Sequence, residues 1–319
     1  MQTYLKTKPV GIQLLLFLGM AFGIYMVINL LGAILYASIA GIDLSVLSNP
    51  KAWDYNDGRI KNLLRFLQTL QFFGLFVIPV FLFAYFSDPN PKRYLGLSAP
   101  SKNRYWIIGI AVMLVAIPMV QYTGLLNERL TGFFDPATQK WIKEMEAEAN
   151  KIIKILLSER TPTELVLNII FIALTAGIGE ELFFRGILQR LFIRAFKNPW
   201  AGIIFTAFIF SAFHLQFLGF IPRFLLGIVL GAIYWYSGSL WPAIVAHFFY
   251  DAFWITVAYF NPQVIDNDTA IINEAQLAIW AAVSAVLTIL LVWMMKKAST
   301  TSFAKVYEDD FKPKDEFSF

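Results

Sequence analysis

Eight stretches of this sequence run for about twenty residues with scarcely a charged side chain. That length matches the roughly 30 Å hydrocarbon layer of a bilayer at about 1.5 Å of helix rise per residue. They fall near 11–40, 66–86, 105–126, 164–185, 200–218, 222–238, 241–260 and 275–295. Only 15% of the 319 residues are charged and 58% are hydrophobic, where soluble domains carry roughly 25% charge. The same numbers exclude disorder, collagen and coiled coil. The first run follows Lys6 and Lys8 as a signal peptide would, but it is about twice too long and lacks a clear cleavage site, which makes it a retained anchor. The expected fold is all-α, a polytopic membrane helical bundle of about eight transmembrane helices.

The charges then orient the bundle. Lys and Arg number 26 against 22 Asp and Glu, and no basic face or tail of the kind that binds nucleic acid is visible. With the N-terminus inside, 15 of the 26 basic residues fall on the inner side, among them Arg93, Lys102, Arg185, Arg190, Arg194, Lys297 and Lys305. Ten of the outer 11 sit in the long loops 41–65 and 127–163, where charge orients less strongly, so both termini are expected to be cytoplasmic. Residues 127–163 mix Trp141, Ile142, Met145 and Ile152 with Lys and Glu; this suits a surface amphipathic helix, a lid, or a solvated connector. The polar tail 301–319 reads as disordered or bound to a protein partner. No fixed-period repeat supports an inverted-repeat transporter.

Chemistry has few side chains available. The absence of cysteine excludes disulfides, thiolate metal sites and cysteine nucleophiles, and the only histidines are His214 and His247. Ionisable residues within a bilayer cost at least about 2.5 kcal/mol each and mark function by default. They enter at Glu180, Glu181 and Arg185, at His214, and at His247 with Asp251. Glu181 and Arg185 are four residues apart on one helix face and can pair, while Glu180 is turned about 100° away. Adjacent acids disfavour double ionisation and an arginine restores it for one of them, which makes Glu181 the structural acid and Glu180 the working acid. His247 and Asp251 are again four apart, so the carboxylate can orient the imidazole. Taken singly, an intramembrane Glu–Arg pair can equally be glue between helices, and a helix histidine a hydrogen-bonded core residue.

Other intramembrane hydrolase patterns fail. There is no His-Glu-x-x-His zinc helix. Gly177-Ile178-Gly179-Glu180 echoes the Gly-x-Gly-Asp of aspartyl proteases but has Glu and no convincing second acid, and Ser211, three residues before His214 on one helix, is poorly placed for attack. Upright alternating spans would leave Glu180 about 24 Å from the outer end of span four, His214 about 21 Å from the inner end of span five, and His247 about 9 Å from the inner end of span seven. Those depths do not converge. A fourth helix extended through 183–196, with the fifth shifted, repairs them.

Glu180-Glu181-x-x-x-Arg185, Phe210-x-x-x-His214 and His247-x-x-x-Asp251, in this order, resemble the CPBP family of CAAX-protease and bacteriocin-processing membrane proteins, also called the Abi family. The resemblance covers about 160–262. It implies an intramembrane endopeptidase: Glu180 as general base on water, helped by His214; His247 and the residue at 251 stabilising the oxyanion; Glu181 and Arg185 holding the geometry. Asp251 departs from the commoner Asn, and an ionised Asp cannot donate to an oxyanion, so it must be protonated or orient His247. No cofactor is favoured. Zinc is the alternative, with Glu180, His214 and His247 as ligands.

The expected organisation is 1–159 for the first three transmembrane helices and the amphipathic segment, 160–262 for the catalytic core, 263–300 for the last transmembrane helix, and 301–319 for the tail. The expected substrate is a peptide or protein in the membrane, and the expected location is a bacterial cytoplasmic membrane. A catalytically silent immunity or scaffold protein of the same fold, and a proton-coupled transporter, stand as the other functions.

Overall fold

The structure is a computed structural model that describes residues 3–49, 53–55, 57–264 and 273–311. The described residues form helices and no strands. Seven helices are long and apolar enough to cross a bilayer: α1 (Val10–Ala40), α2 (Gly58–Ser87), α3 (Arg104–Phe133), α5 (Pro162–Phe196), α7 (Phe220–Ser237), α8 (Trp241–Phe260) and α9 (Glu274–Ala298). Between them lie an amphipathic α4 (Pro136–Leu156) and an apolar but short α6 (Pro199–Phe213); α10 (Phe303–Phe311) follows α9. Leu15, Met26, Ile39, Ile107 and Ile279 are exposed, a surface that suits lipid rather than water. The chain is an integral, multi-pass membrane protein.

Two of the expected spans change length, for a local reason. The fourth does not end at 185 but continues to Phe196 as a 35-residue helix, and the fifth is the 15-residue α6 rather than 200–218. Lys197 takes the left-handed conformation that stops α5, and the Asn198 side chain accepts hydrogen bonds from the amides of Trp200 and Ala201 to start α6. Glu180 lies 16 residues before Phe196 and His214 one residue past the end of α6, so both stand about 22–24 Å from this turn. Glu180 and His214 thereby come to one level inside the bundle.

Other expectations are revised at their edges. The 41–65 loop is shorter than expected because α2 begins at Gly58, capped by Asp57; Lys61 pairs there with Glu159 at 2.9 Å, and Arg65 with Glu164. Arg185, counted above among the orienting charges, is fully buried within the bundle. Within the tail, expected to be disordered or partner-bound, Phe303–Phe311 is helical rather than disordered, and Tyr307 is buried, donating to the Arg190 carbonyl at 2.8 Å. Side chains beyond Tyr307 and residues 312–319 lie outside what is described. The first described residues and the end of α9 gather at the end of the bundle that holds the 196–199 turn, where the Lys6 carbonyl accepts from Arg194 and Lys102 donates to the Ala298 carbonyl.

At about 22 Å, α6 is too short to cross a 30 Å layer, so the chain 214–219 turns at membrane depth before α7. Irregular backbone survives there only where protein satisfies its polar groups. Glu146 of α4 accepts from the Leu218 amide at 2.7 Å, Asn127 of α3 donates to the Phe217 carbonyl, and Ser211 donates to the Phe220 carbonyl at 2.6 Å. Gln216 donates to Glu146 at 3.1 Å, and Phe134 packs edge-on against Phe217. The amphipathic segment therefore lies against the turn that follows His214, as a lid would.

Candidate active site

Close helix contacts set the scaffold of the site. A side chain at Gly177 would meet the Phe248 amide at 3.0 Å and the Ile244 carbonyl at 3.2 Å, so α5 and α8 touch through backbone just below Glu180. At Gly202 a Cβ would fall 2.6 Å from the Ile193 amide, which holds α6 against the end of α5. Small residues permit this approach where lipid offers no hydrophobic drive between helices.

From Glu181 to Gln189, α5 widens to π-helical winding, and all nine of its residues are buried. Single π turns inside α-helices recur at functional sites because they rotate side chains out of the ordinary register. Arg185 donates from Nη1 to Glu181 Oε1 at 2.6 Å and from Nη2 to the Gly227 carbonyl at 3.0 Å, and it stacks on Phe210 at 4.7 Å. One turn on, Gln189 donates to the Gly231 carbonyl at 3.0 Å. The sequence reading missed Gln189 and this Gly227-x-x-x-Gly231 partner; a small-x-x-x-small motif in an apolar helix was the available signal.

The four-residue spacings place their side chains as read. Glu181 is fully buried between Arg185 and His247, whose Nδ1 donates to the same Glu181 Oε1 at 2.8 Å. Glu180 points elsewhere, into a cavity of about 270 Å³ lined also by Phe210, His214, Arg223, His247, Tyr250 and Asp251. His247 Nε2 stands 3.4 Å from Asp251 Oδ2 and 4.0 Å from Glu180 Oε2. A carboxylate oxygen accepts, so both nitrogens of this ring face acceptors, the setting in which an imidazolium donates from each. His214 Nδ1 lies 2.9 Å from the Phe210 carbonyl. A carbonyl also only accepts, so that nitrogen carries a proton. Ser211 is engaged with Phe220.

All six residues singled out in the sequence thus belong to one cluster, with Glu181 and Arg185 behind the cavity wall and the other four on it. Arg223, which in sequence merely weakened the 222–238 span, also lines the cavity; its Nη2 donates to Gln216 and its Nη1 is buried without a hydrogen-bond partner. Arg223 thereby links the cavity to the Gln216–Glu146 contact with α4. Among the described residues, no group of three His, Asp or Glu side chains is disposed to hold one metal ion.

Residues 162–253, which hold all of these groups, match the family described as type II CAAX prenyl endopeptidase Rce1-like. Over these residues the chain thus resembles the CAAX protease-like domains of the CPBP family. The chain is also 30% identical over 122 residues to the uncharacterized protein YpbD of Bacillus subtilis (strain 168), a match over 37% of this chain and 58% of that protein. The chain thus spans rather more than half the length of this curated relative. No solved structure matches.

Proposed function

We propose that the protein is an intramembrane endopeptidase that hydrolyses a peptide bond of a membrane-associated substrate with water activated by Glu180. The observation that carries this reading is the single cavity at mid-depth of the bundle onto which Glu180, His214, His247 and Asp251 all open. Water held between the Glu180 carboxylate and Nε2 of His214 transfers a proton to Glu180 as its oxygen bonds to the scissile carbonyl carbon. The carbonyl oxygen becomes an oxyanion and takes hydrogen bonds from His247 Nε2 and from Arg223. Collapse of the tetrahedral species breaks the C–N bond, and the proton on Glu180 passes to the leaving nitrogen. Asp251, at 3.4 Å, orients His247 rather than donating itself. Glu181 and Arg185 are positioning residues. No step runs through a metal.

The orientation with both termini cytoplasmic, in a bacterial cytoplasmic membrane, is part of the same proposal. So is the substrate class, a CAAX-like or other membrane-bound peptide. The test is cleavage by the reconstituted protein, followed by mass spectrometry of the membrane peptidome with and without active protein. Glu180→Gln should abolish cleavage while the melting temperature is kept; cleavage retained by that variant overturns the assignment. Proton flux lost with Glu180 in liposomes that show no proteolysis would assign a transporter. Activity lost on chelation and restored only by zinc would assign the metal route.

A further inference from the structure

The amphipathic α4 carries an apolar surface that the candidate active site does not use. Ile142, Glu146 and Leu156 form the row that it buries against the bundle. Trp141, Met145 and Ile152, four and seven residues apart and so on one side of the helix, remain 59%, 38% and 43% exposed. They stand about a quarter-turn round the helix from the buried row. Lys140, Lys143, Glu144 and Lys151 take the remaining side, with Lys140 and Glu144 paired at 3.8 Å, and Glu148 stands at the edge of the apolar stripe. A helix lying between a protein core and water needs two sides, one buried and one charged. This one has a third.

Contacts along its whole length fix α4 at the edge of the hydrocarbon layer. Where it begins, Phe134 packs on Phe217, whose carbonyl accepts from Asn127, the last residue of α3 before Glu128 and Arg129. At its centre Glu146 accepts from the Leu218 amide at 2.7 Å. At its end the Leu156 carbonyl accepts from Asn168 at 2.9 Å, about one turn beyond Glu164 on α5. Glu164 is in turn paired with Arg65 of α2. All three contacts thus fall where charge returns to the spans, the level at which acyl chains give way to head groups. Two residues join α3 to α4 and five join α4 to α5, so the helix, about 30 Å long, is held along this surface.

The neighbours of α4 say what its third side meets. Lys151 sits 4.8 Å over the ring of Tyr55, in the loop between α1 and α2, so the charged side looks toward extramembrane chain. Leu126, Leu130 and Phe133 are exposed on the last turns of α3, Phe133 by 86%, and carry the lipid-facing surface of that span up to the corner where α4 starts. Trp141 follows on the second turn of α4, and tryptophan is the side chain that favours the membrane–water boundary.

We propose that α4 is docked into the leaflet opposite the 196–199 turn, with Trp141, Met145 and Ile152 immersed among lipid acyl chains. The occupant of this face is lipid, and the charged side of α4 lies among head groups. Lifting α4 from the 214–219 turn then requires drawing the stripe out of lipid, so the bilayer itself holds the lid down.

The chain contains no cysteine, so one spin label can be placed at a time. Met145→Cys and Ile152→Cys carry the label on the stripe, and Lys143→Cys and Ala147→Cys carry it on the charged side; all four positions are exposed, and melting temperatures should be unchanged. The full chain is reconstituted in phosphatidylcholine vesicles. Collision of each label with oxygen, which concentrates in the acyl layer, is compared with collision with a nickel chelate, which stays in water. The ratio of oxygen to nickel collision should be about fivefold or more higher at 145 and 152 than at 143 and 147. Equal ratios on the two sides would overturn the proposal. So would labels at 145 and 152 shielded from both reagents, as a covering protein would shield them. Neither readout involves cleavage, so the outcome is independent of the peptidase reading.

Discussion

Glu181 Oε1 receives the Nδ1 proton of His247 at 2.8 Å across 66 residues of chain, and the same oxygen holds Arg185 at 2.6 Å. One buried acid thus ties the π-wound segment of α5 to α8 and sets the face that His247 turns to the cavity. Its neighbour Glu180 is left to face the cavity. The proposed division between a positioning and a working carboxylate rests on this single bifurcated acceptor.

Removing Glu181 should therefore cost stability as well as activity. Glu181→Ala leaves the fully buried Arg185 without its counter-charge, and breaking such a pair costs about 3–5 kcal/mol. Thermal unfolding in detergent should show a large fall for Glu181→Ala and a smaller one for Glu181→Ala with Arg185→Met. Equal melting temperatures for wild type and Glu181→Ala would contradict the buried pairing.

The approach of α6 to α5 should be equally sensitive. Gly202→Ala puts a methyl within 2.6–2.7 Å of the Ile193 backbone amide and Cα, which cannot swing away as a side chain can. The helices must part, at about 1–3 kcal/mol, and His214 moves with α6. Melting temperature and cleavage rate should fall together. At Gly231 the nearest atom is the far end of the Gln189 side chain, at 2.6 Å, and Gly231→Ala should be milder in both readouts.

Glu146 should act on catalysis from outside the cavity. Glu146→Ala removes the acceptor for the Leu218 amide and for Gln216, and so loosens the 214–219 turn beside His214 and Arg223. Hydrogen exchange should rise across 214–219 and 136–156, with cleavage reduced about tenfold or more, since small misplacements of reacting groups are costly. Unchanged exchange in the 214–219 turn would show that α4 does not brace it.

The start of α4 should depend on pH in acid only. Asp135 caps this helix, and the Thr138 hydroxyl and amide, followed by the Ala137 amide, hold its carboxyl below the usual range. A depressed folded value means that its contribution is complete above the unfolded value, roughly pH 3.9, and is lost as pH falls through the lower folded one. Protection of the first α4 amides, corrected for intrinsic exchange, should be flat from neutral pH down to about 5 and fall below about 4. Asp135→Asn, which keeps a capping oxygen without the titration, should flatten that fall.

The cluster was legible in sequence to an unusual degree because polar chemistry is scarce here. In a chain with two histidines and few intramembrane acids, four-residue spacings put Glu181 beside Arg185 and His247 beside Asp251, and the helices keep those pairs together. Arg223 was harder to see. One cation near the start of a short apolar run reads as a defect of the run until a cavity is known to lie beside it.

The sequence by itself determined the membrane, the helices, the preference for basic residues at one end and which polar groups enter the bundle. Each follows from properties local to a residue or a turn of helix: apolar length, charge, and a period of 3.6. The tertiary structure decided what no local property reaches. It set the shared depth of Glu180 and His214, which depends on where Lys197 and Asn198 break the chain. It joined His247 to Glu181 rather than leaving either acid to chance, and placed α4 over the 214–219 turn. These are contacts between helices distant in sequence, and they arise only where glycines let backbones close to within van der Waals distance and buried polar groups find partners across the gap.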